Sequence, residues 1–375
     1  MIYFDAAATT LQKPDTVRRK MYEAVGTLSS PGRGGYPSTR RAEEVDFQCR
    51  SLAAELFGVD DPANVVFTAN ATHGLNIAIH TLVKPHARVV ISGYEHNAVT
   101  RPLHAIPDVE VAVADGKLFD GGDMAAQFRS ALAEKTDAVI CTHVSNVFGC
   151  ALPIADIAAL CREKGVPLIV DASQSAGILP VDMAALGAAF IAMPGHKGLY
   201  GPQGTGLLLC GVEPEPLLRG GTGSQSLLQA MPTELPDRLE AGTHNMPGIA
   251  GLLEGLRFVK RQGLDRIARH EEKLGRMAAS GLAAIPDVEV FTGEGQTGVV
   301  SFRVKGWDCE ELGEALAAQG IALRSGLHCA PLAHRTAGTL DTGTVRFSPS
   351  VFNRPQEVET LLSTLRHLLG QTAKG

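Results

Sequence analysis

The chain carries seven short apolar runs between residues 65 and 210, and they constrain its fold more than any other feature. They are VVFT (65–68), RVVIS (88–92), VEVAVA (109–114), DAVICTHV (137–144), PLIVDA (167–172), FIAM (190–193) and TGLLLC (205–210). Several are apolar at every position, the pattern of parallel strands covered on both faces. Helical spacing lies around them. Val45, Cys49, Leu52 and Leu56 form one stripe, and Ile154, Ile157, Ala158 and Cys161 form another. Repeated strand–helix–strand order predicts an α/β fold with a mostly parallel central sheet flanked by helices. Such sheets bind ligands at the carboxyl ends of their strands.

A chain of 375 residues exceeds what one core usually holds. After about residue 250 the pattern changes. A long helical pattern runs from Gly251 to Met277, followed by strand-like DVEVFT (287–292), VVSFRV (299–304) and TVRFSPS (344–350), with helices near 308–319 and 355–370. This predicts a large α/β domain over 12–250 and a smaller α+β domain from 1–11 and 251–375. The net charge of −6 leaves no basic excess for nucleic acid or an anionic membrane. No apolar run is long enough to span a bilayer, and MIYFDAAATT lacks the form of a secretory signal. Seven cysteines without a CxxC pair predict neither a metal site nor a disulfide framework, and suit a reducing cytoplasm.

Polar clusters follow the apolar runs. TANATHGLN (68–76) opens a helix, where Thr72 and the first-turn N–H groups suit a phosphate. A helix cap by Asn70 or Thr72 is the commoner use of such residues. His96 in SGYEHNAV (92–99) can stack or carry a proton, or simply be a hydrogen-bonded loop residue. Asp171 ends the apolar run PLIVD, and a carboxylate there needs a cation or donors to meet it. Gln174 lies just beyond. Lys197, in MPGHKGLYGP (193–202), follows another strand at the same expected edge. A lysine, a strand-end acid and a phosphate-binding helix start are what a pyridoxal phosphate Schiff base requires: the lysine gives the imine and the acid keeps the ring nitrogen protonated. GPQGTG (201–206) and GGTGSQ (220–225) complete no nucleotide-binding fingerprint and read as turns. In RSGLHCAPL (324–332), Cys329 stands near Arg324 and His328, neighbours that suit a nucleophilic sulfur. Arg346 in TVRFSPS can bind a carboxylate through two N–H groups, or lie on the surface of an edge strand.

In their order, YFDAAATT (3–10), FTANATHGLN, YEHNAV, VSNVFG (144–149), DASQSAG, GHKGLYGPQGTG, LEAGTHN (239–245) and RSGLHCAPL resemble the class V, fold-type I pyridoxal-phosphate enzymes. The type II cysteine desulfurases and selenocysteine lyases are the most similar. The resemblance spans nearly the whole chain. It implies that Lys197 forms the Schiff base, His96 stacks on the ring, Asp171 meets the pyridine nitrogen and Gln174 the phenolic oxygen. Thr72 and His196 would bind phosphate, joined by Thr243 from the second subunit of a homodimer. Asn146 and Arg346, with Arg324 beside them, would take the substrate carboxylate, and Cys329 would accept sulfur from L-cysteine and pass it to an acceptor protein. Departures from the family pattern are Pro194 for a phosphate-binding serine, Ala6 for asparagine and Leu327 for histidine. Selenocysteine, cysteine sulfinate or another amino acid are the alternative substrates, by lyase or aminotransferase chemistry. A non-enzymatic sulfur carrier is the alternative of another class.

Overall fold

All seven apolar runs form strands of one sheet. A two-residue strand at the start of the chain, β1 (Ile2–Tyr3), precedes them. They are β2 (Val65–Thr68), β3 (Arg88–Ser92), β4 (Glu110–Ala114), β5 (Ala138–Thr142), β6 (Leu168–Asp171), β7 (Phe190–Pro194) and β8 (Gly206–Cys210). The computed structural model describes residues 1–32 and 34–372, so the last three residues of the span expected for the small domain lie outside the described residues.

The sheet order is β2-β8-β7-β6-β5-β3-β4. Strands β4, β3, β5, β6 and β7 pair in parallel, whereas β8 is antiparallel to both β7 and β2. TGLLLC reads like its parallel neighbours because β8 lies inside the sheet, buried at every residue. An apolar run reports burial of both faces, not strand direction. The helices cover both faces. In Ile154–Lys164 the residues Ile154, Ile157, Ala158 and Cys161 are all buried, and Gly165 ends the helix in a left-handed conformation. The other stripe is less complete: in Pro37–Phe57 Cys49 is buried, but Val45, Leu52 and Leu56 only partly so.

The pattern from Gly251 to Met277 is two helices rather than one. Met246–Gln262 ends at Gly263, whose φ of 79° breaks the helical path, and Leu264–Ala283 follows. Leu252, Leu253 and Leu256 of the first belong to the core beneath the large sheet, while Leu274, Ala278 and Leu282 of the second join a separate core. That second core lies under β9 (Val288–Phe291), β10 (Val300–Val304), β12 (Arg324–Gly326) and β13 (Thr344–Phe347), in the order β12-β13-β10-β9, and β11 (Ile321–Ala322) pairs in parallel with β1. Phe4, Phe302, Phe347 and Leu361 fill it. Each such side chain contributes about 1.5–3 kcal/mol on burial. β13 is an interior strand. Arg346 is therefore not on an edge; it is 1% exposed.

Candidate active site

The carboxyl ends of β2, β3, β5, β6 and β7 open into a cavity of about 220 Å³. Its lining includes Thr72, His96, Asn146, Asp171, Gln174, His196, Lys197, Arg324 and Arg346. Larger hollows, of about 520 and 750 Å³, surround Trp307 on the small domain. They lie away from these strand ends and collect no comparable set.

Each side chain is held by a local device. Asn70 caps Ala71–Leu82 by accepting from the His73 N–H at 2.9 Å, which leaves Thr72 exposed in the first turn. Asn70 is therefore the cap, and Thr72 is left without a capping role. Asp171 is 3% exposed and accepts from the Ser173 N–H at 2.9 Å. Gln174 Nε2 donates to the Ala7 carbonyl at 3.0 Å. His96 caps the short helix Asn97–His104, its Nδ1 accepting from the Ala98 N–H at 3.0 Å. That bond places the proton of a neutral ring on Nε2. Burial pulls His96 down to about 4, against the opposing pull of Asp171, so its ring is neutral at pH 7.

Lys197 is the amine of the cavity and is half-buried. Burial lowers it to about 8, Asp171 opposes the shift, and Arg346 and Arg324 add to it. Roughly a tenth is then unprotonated at pH 7, far more than for an ordinary lysine, and the neutral amine is the nucleophilic form. His196 is also lowered to about 4, first by burial and then by Lys197 and Lys13. Its Nδ1 lies 3.0 Å from Thr9 Oγ1.

The small C-terminal sheet supplies the other wall. Arg346 Nη1 donates to the Asn146 carbonyl at 2.9 Å and Nη2 to Asp5 Oδ1 at 2.6 Å. Asn146 Nδ2 in turn donates to the His328 carbonyl at 2.8 Å. Arg324 stands opposite Arg346 in the β12–β13 register. Cys329 does not line the cavity but sits exposed at its rim, 3.4 Å from Arg324 Nη2. His328 and Cys329 both have positive φ, 50° and 58°, so a tight turn presents the thiol. Burial pushes His328 well below its ordinary value, which makes Arg324 the cation beside the sulfur. Thr243 is the outlier among the expected residues. It is exposed and lines a separate hollow of about 230 Å³ with Gly204, Thr205 and Asn245.

Sequence reasoning missed Asp5, Lys13 and Glu95. Lys13 Nζ donates to the His196 carbonyl at 2.8 Å, and burial lowers it to about 8. Glu95 is fully buried beside the site, accepting from Ser92 Oγ and, at 2.7 Å, from the Thr142 N–H; burial raises it to about 8. The carboxylate in FDAAATT, set among small apolar residues, is the one visible signal for Asp5.

Aminotransferase class-V is the family that matches, over residues 2–361. The chain belongs to this family. Two class-V relatives are probable cysteine desulfurases: one from Mycolicibacterium paratuberculosis, 34% identical over 98% of this chain, and one from Methanothermobacter thermautotrophicus, 32% identical over 98%. This chain spans 55% of the length of the first and 95% of the second. Among solved structures, the apo cysteine desulfurase from Thermococcus onnurineus NA1 superposes with a TM-score of 0.89 at 30% identity, covering 99% of this chain and 95% of that one. The class-V match accords with a mostly parallel sheet and a separate C-terminal sheet.

Proposed function

We propose that this class-V protein is a pyridoxal-phosphate-dependent cysteine desulfurase, converting L-cysteine and the Cys329 thiol into L-alanine and a Cys329 persulfide. The single observation that carries this is the placement of an exposed thiol, Cys329, at the rim of a cavity lined by a lysine and a buried strand-end carboxylate. An aminotransferase or lyase acting on another amino acid needs Lys197 and Asp171 but leaves that thiol idle. A sulfur carrier without catalysis has no use for a cavity lysine near a buried acid.

The donor set fits the cofactor. Asp171 would meet the pyridine nitrogen, Gln174 the phenolic oxygen and His96 the ring face. Thr72, the first turn of Ala71–Leu82 and His196 would hold the phosphate. Pro194 lines the cavity with neither hydroxyl nor N–H. Lys13 is held behind His196, against its carbonyl. When bound, pyridoxal phosphate supplies the electron sink that stabilises negative charge at the substrate Cα. The protein's own residues do the rest. Lys197, its amine partly free, takes the Cα proton and later returns one to the product. The Asn146–Arg346 pair, with Arg324, fixes the substrate carboxylate. The Cys329 sulfur attacks the substrate sulfur, so an S–S bond forms as the C–S bond breaks. A neutral His96, with its proton on Nε2, donates a hydrogen bond rather than accepting a proton.

Thr243 completes the phosphate site only from a second copy of the chain. It is exposed, away from its own Lys197, and its segment is anchored from behind. Arg50 pairs with Glu240 at 2.6 Å, and His244 sits between Asp46 at 3.3 Å and Glu240 at 3.1 Å. Tyr22, Val25 and Phe47 are exposed on the helices Asp15–Thr27 and Pro37–Phe57, and Phe47 is next to Asp46. A homodimer with shared sites covers this apolar surface. An acceptor protein takes the persulfide sulfur, and a reducing cytoplasm suits the free thiols.

The reading is tested by mass spectrometry of the holoprotein after L-cysteine, without reductant. The peptide bearing Cys329 is expected to gain one sulfur atom. A gain confined to other cysteines would contradict it.

A further inference from the structure

Arg346 is a fully buried cation, and such a charge needs a counter-ion even when no substrate is bound. The structure supplies one from the far end of the chain. Asp5 follows β1, bridges to Ser348 next to β13, and places Oδ1 at 2.6 Å from Arg346 Nη2. The Asp5 side chain is itself only 20% exposed. Its backbone is fixed independently: the Asp5 carbonyl accepts from the Tyr3 hydroxyl and from the N–H groups of Ala8 and Thr9. Two residues further on, the Ala7 N–H donates to Ser348 Oγ and the Ala7 carbonyl accepts from Gln174. The carboxylate is therefore delivered to Arg346 by a segment that also borders the cavity.

Arg324, directly across the β12–β13 register, has no carboxylate within ion-pair distance among the described residues. The two arginines facing the cavity thus differ. One is neutralised within the protein and one is not. Arg346 also retains unused donors, since its buried Nε has no partner.

We propose that Asp5 is the resident counter-ion of Arg346 and a specificity-determining residue: it neutralises that guanidinium, so that a substrate carboxylate binds through Arg346's spare donors while Arg324 supplies the surplus positive charge. This rests on the reading above, in which the substrate is an amino acid with a free carboxylate. The consequence is selectivity. Small carboxylates without an amino group gain little at a charge-balanced Arg346, and remain weak competitors of the substrate.

The test is Asp5→Asn, which keeps an acceptor oxygen and removes the charge. In the holoprotein, at constant ionic strength, the inhibition constant of acetate against L-cysteine is expected to fall about tenfold or more, because a desolvated cation then faces the cavity unpaired. KM for L-cysteine falls in the same direction. An ion pair that serves only stability would lower the thermal midpoint and leave acetate inhibition as in wild type, which overturns the proposal. A second measurement needs no turnover. In Asp5→Ala, the thermal midpoint is titrated with formate, which is expected to raise it saturably in the variant and not in wild type. No such rise overturns the proposal. If Asp5→Ala does not fold, the same titration is made on Asp5→Asn. Wild-type protein that forms no alanine would refute the desulfurase reading while leaving the formate titration decisive for Asp5.

Discussion

Lys197 and Arg346 line one cavity, yet the chain builds them in different ways. Lys197 follows β7 and faces Asp171, which ends the adjacent parallel strand β6. Most of that wall comes from short loops after strands of the large sheet. Arg346 lies inside an antiparallel strand and finds its acid in Asp5, 341 residues away along the chain. Cys329 likewise reaches the rim by a left-handed turn between β12 and the helix Pro331–Thr336. The large-domain wall is set by local order within a repeating fold. The small-domain wall is set by register and by long-range contact. On the present account the first wall captures the cofactor and the second selects and desulfurates the substrate.

The comparison breaks most easily at Lys197. Lys197→Ala should abolish retention of the cofactor's visible absorbance after gel filtration, and lower alanine formation by about 10³-fold or more. Retained absorbance with full turnover would show that the amine is not the anchor.

A smaller effect is expected at Thr243, because a single phosphate hydrogen bond is worth on the order of 1 kcal/mol. Thr243→Ala should weaken cofactor binding severalfold. Mixed dimers of Thr243→Ala and Lys197→Ala should contain one site with both defects and one with neither. Recovery of about half the wild-type activity per dimer, and so full activity per intact lysine, supports a shared site; activity per intact lysine no higher than that of Thr243→Ala contradicts it.

The effect on activity is smallest at Glu95, the buried acid beside the ends of β3 and β5. Glu95 is raised to about 8 by burial, above its ordinary value of 4.5. The folded protein therefore keeps this proton where the unfolded chain releases it. Between about pH 4.5 and 8 the folded state binds more protons, so this group's contribution to stability falls as pH rises. Glu271, also raised to about 8 by burial, has the same sign. Glu95→Gln should become increasingly more stable than wild type as pH rises across that window, by thermal unfolding. Parallel curves for the two proteins would show that Glu95 is ionised in the fold.

The large-domain wall was legible in the sequence because its grammar is local. An apolar run gives a buried strand, and the polar residues after it mark the sheet edge, so Thr72, His96, Asp171 and Lys197 could be placed on one rim. Strand direction was not legible, since β8 has the same composition as its parallel neighbours. The division at Gly263 was missed because helical periodicity continues on both sides of a single glycine. Arg346 was open to reading as a surface arginine because its local sequence carries no sign of Asp5. Thr243 could be assigned only through family resemblance, since nothing in its local sequence marks it; Cys329 was legible as a thiol near positive neighbours, but not the turn of two positive φ values that presents it.

The measurement that tests the central claim most directly is alanine formed from L-cysteine and reductant by the holoprotein, with wild type and Cys329→Ser side by side. The account predicts alanine from wild type and a loss of about 10²-fold or more in the variant, because the C–S bond breaks only onto that sulfur, while both proteins hold the cofactor equally. Equal alanine from the two would contradict it, and would leave Cys329 without a part in the chemistry.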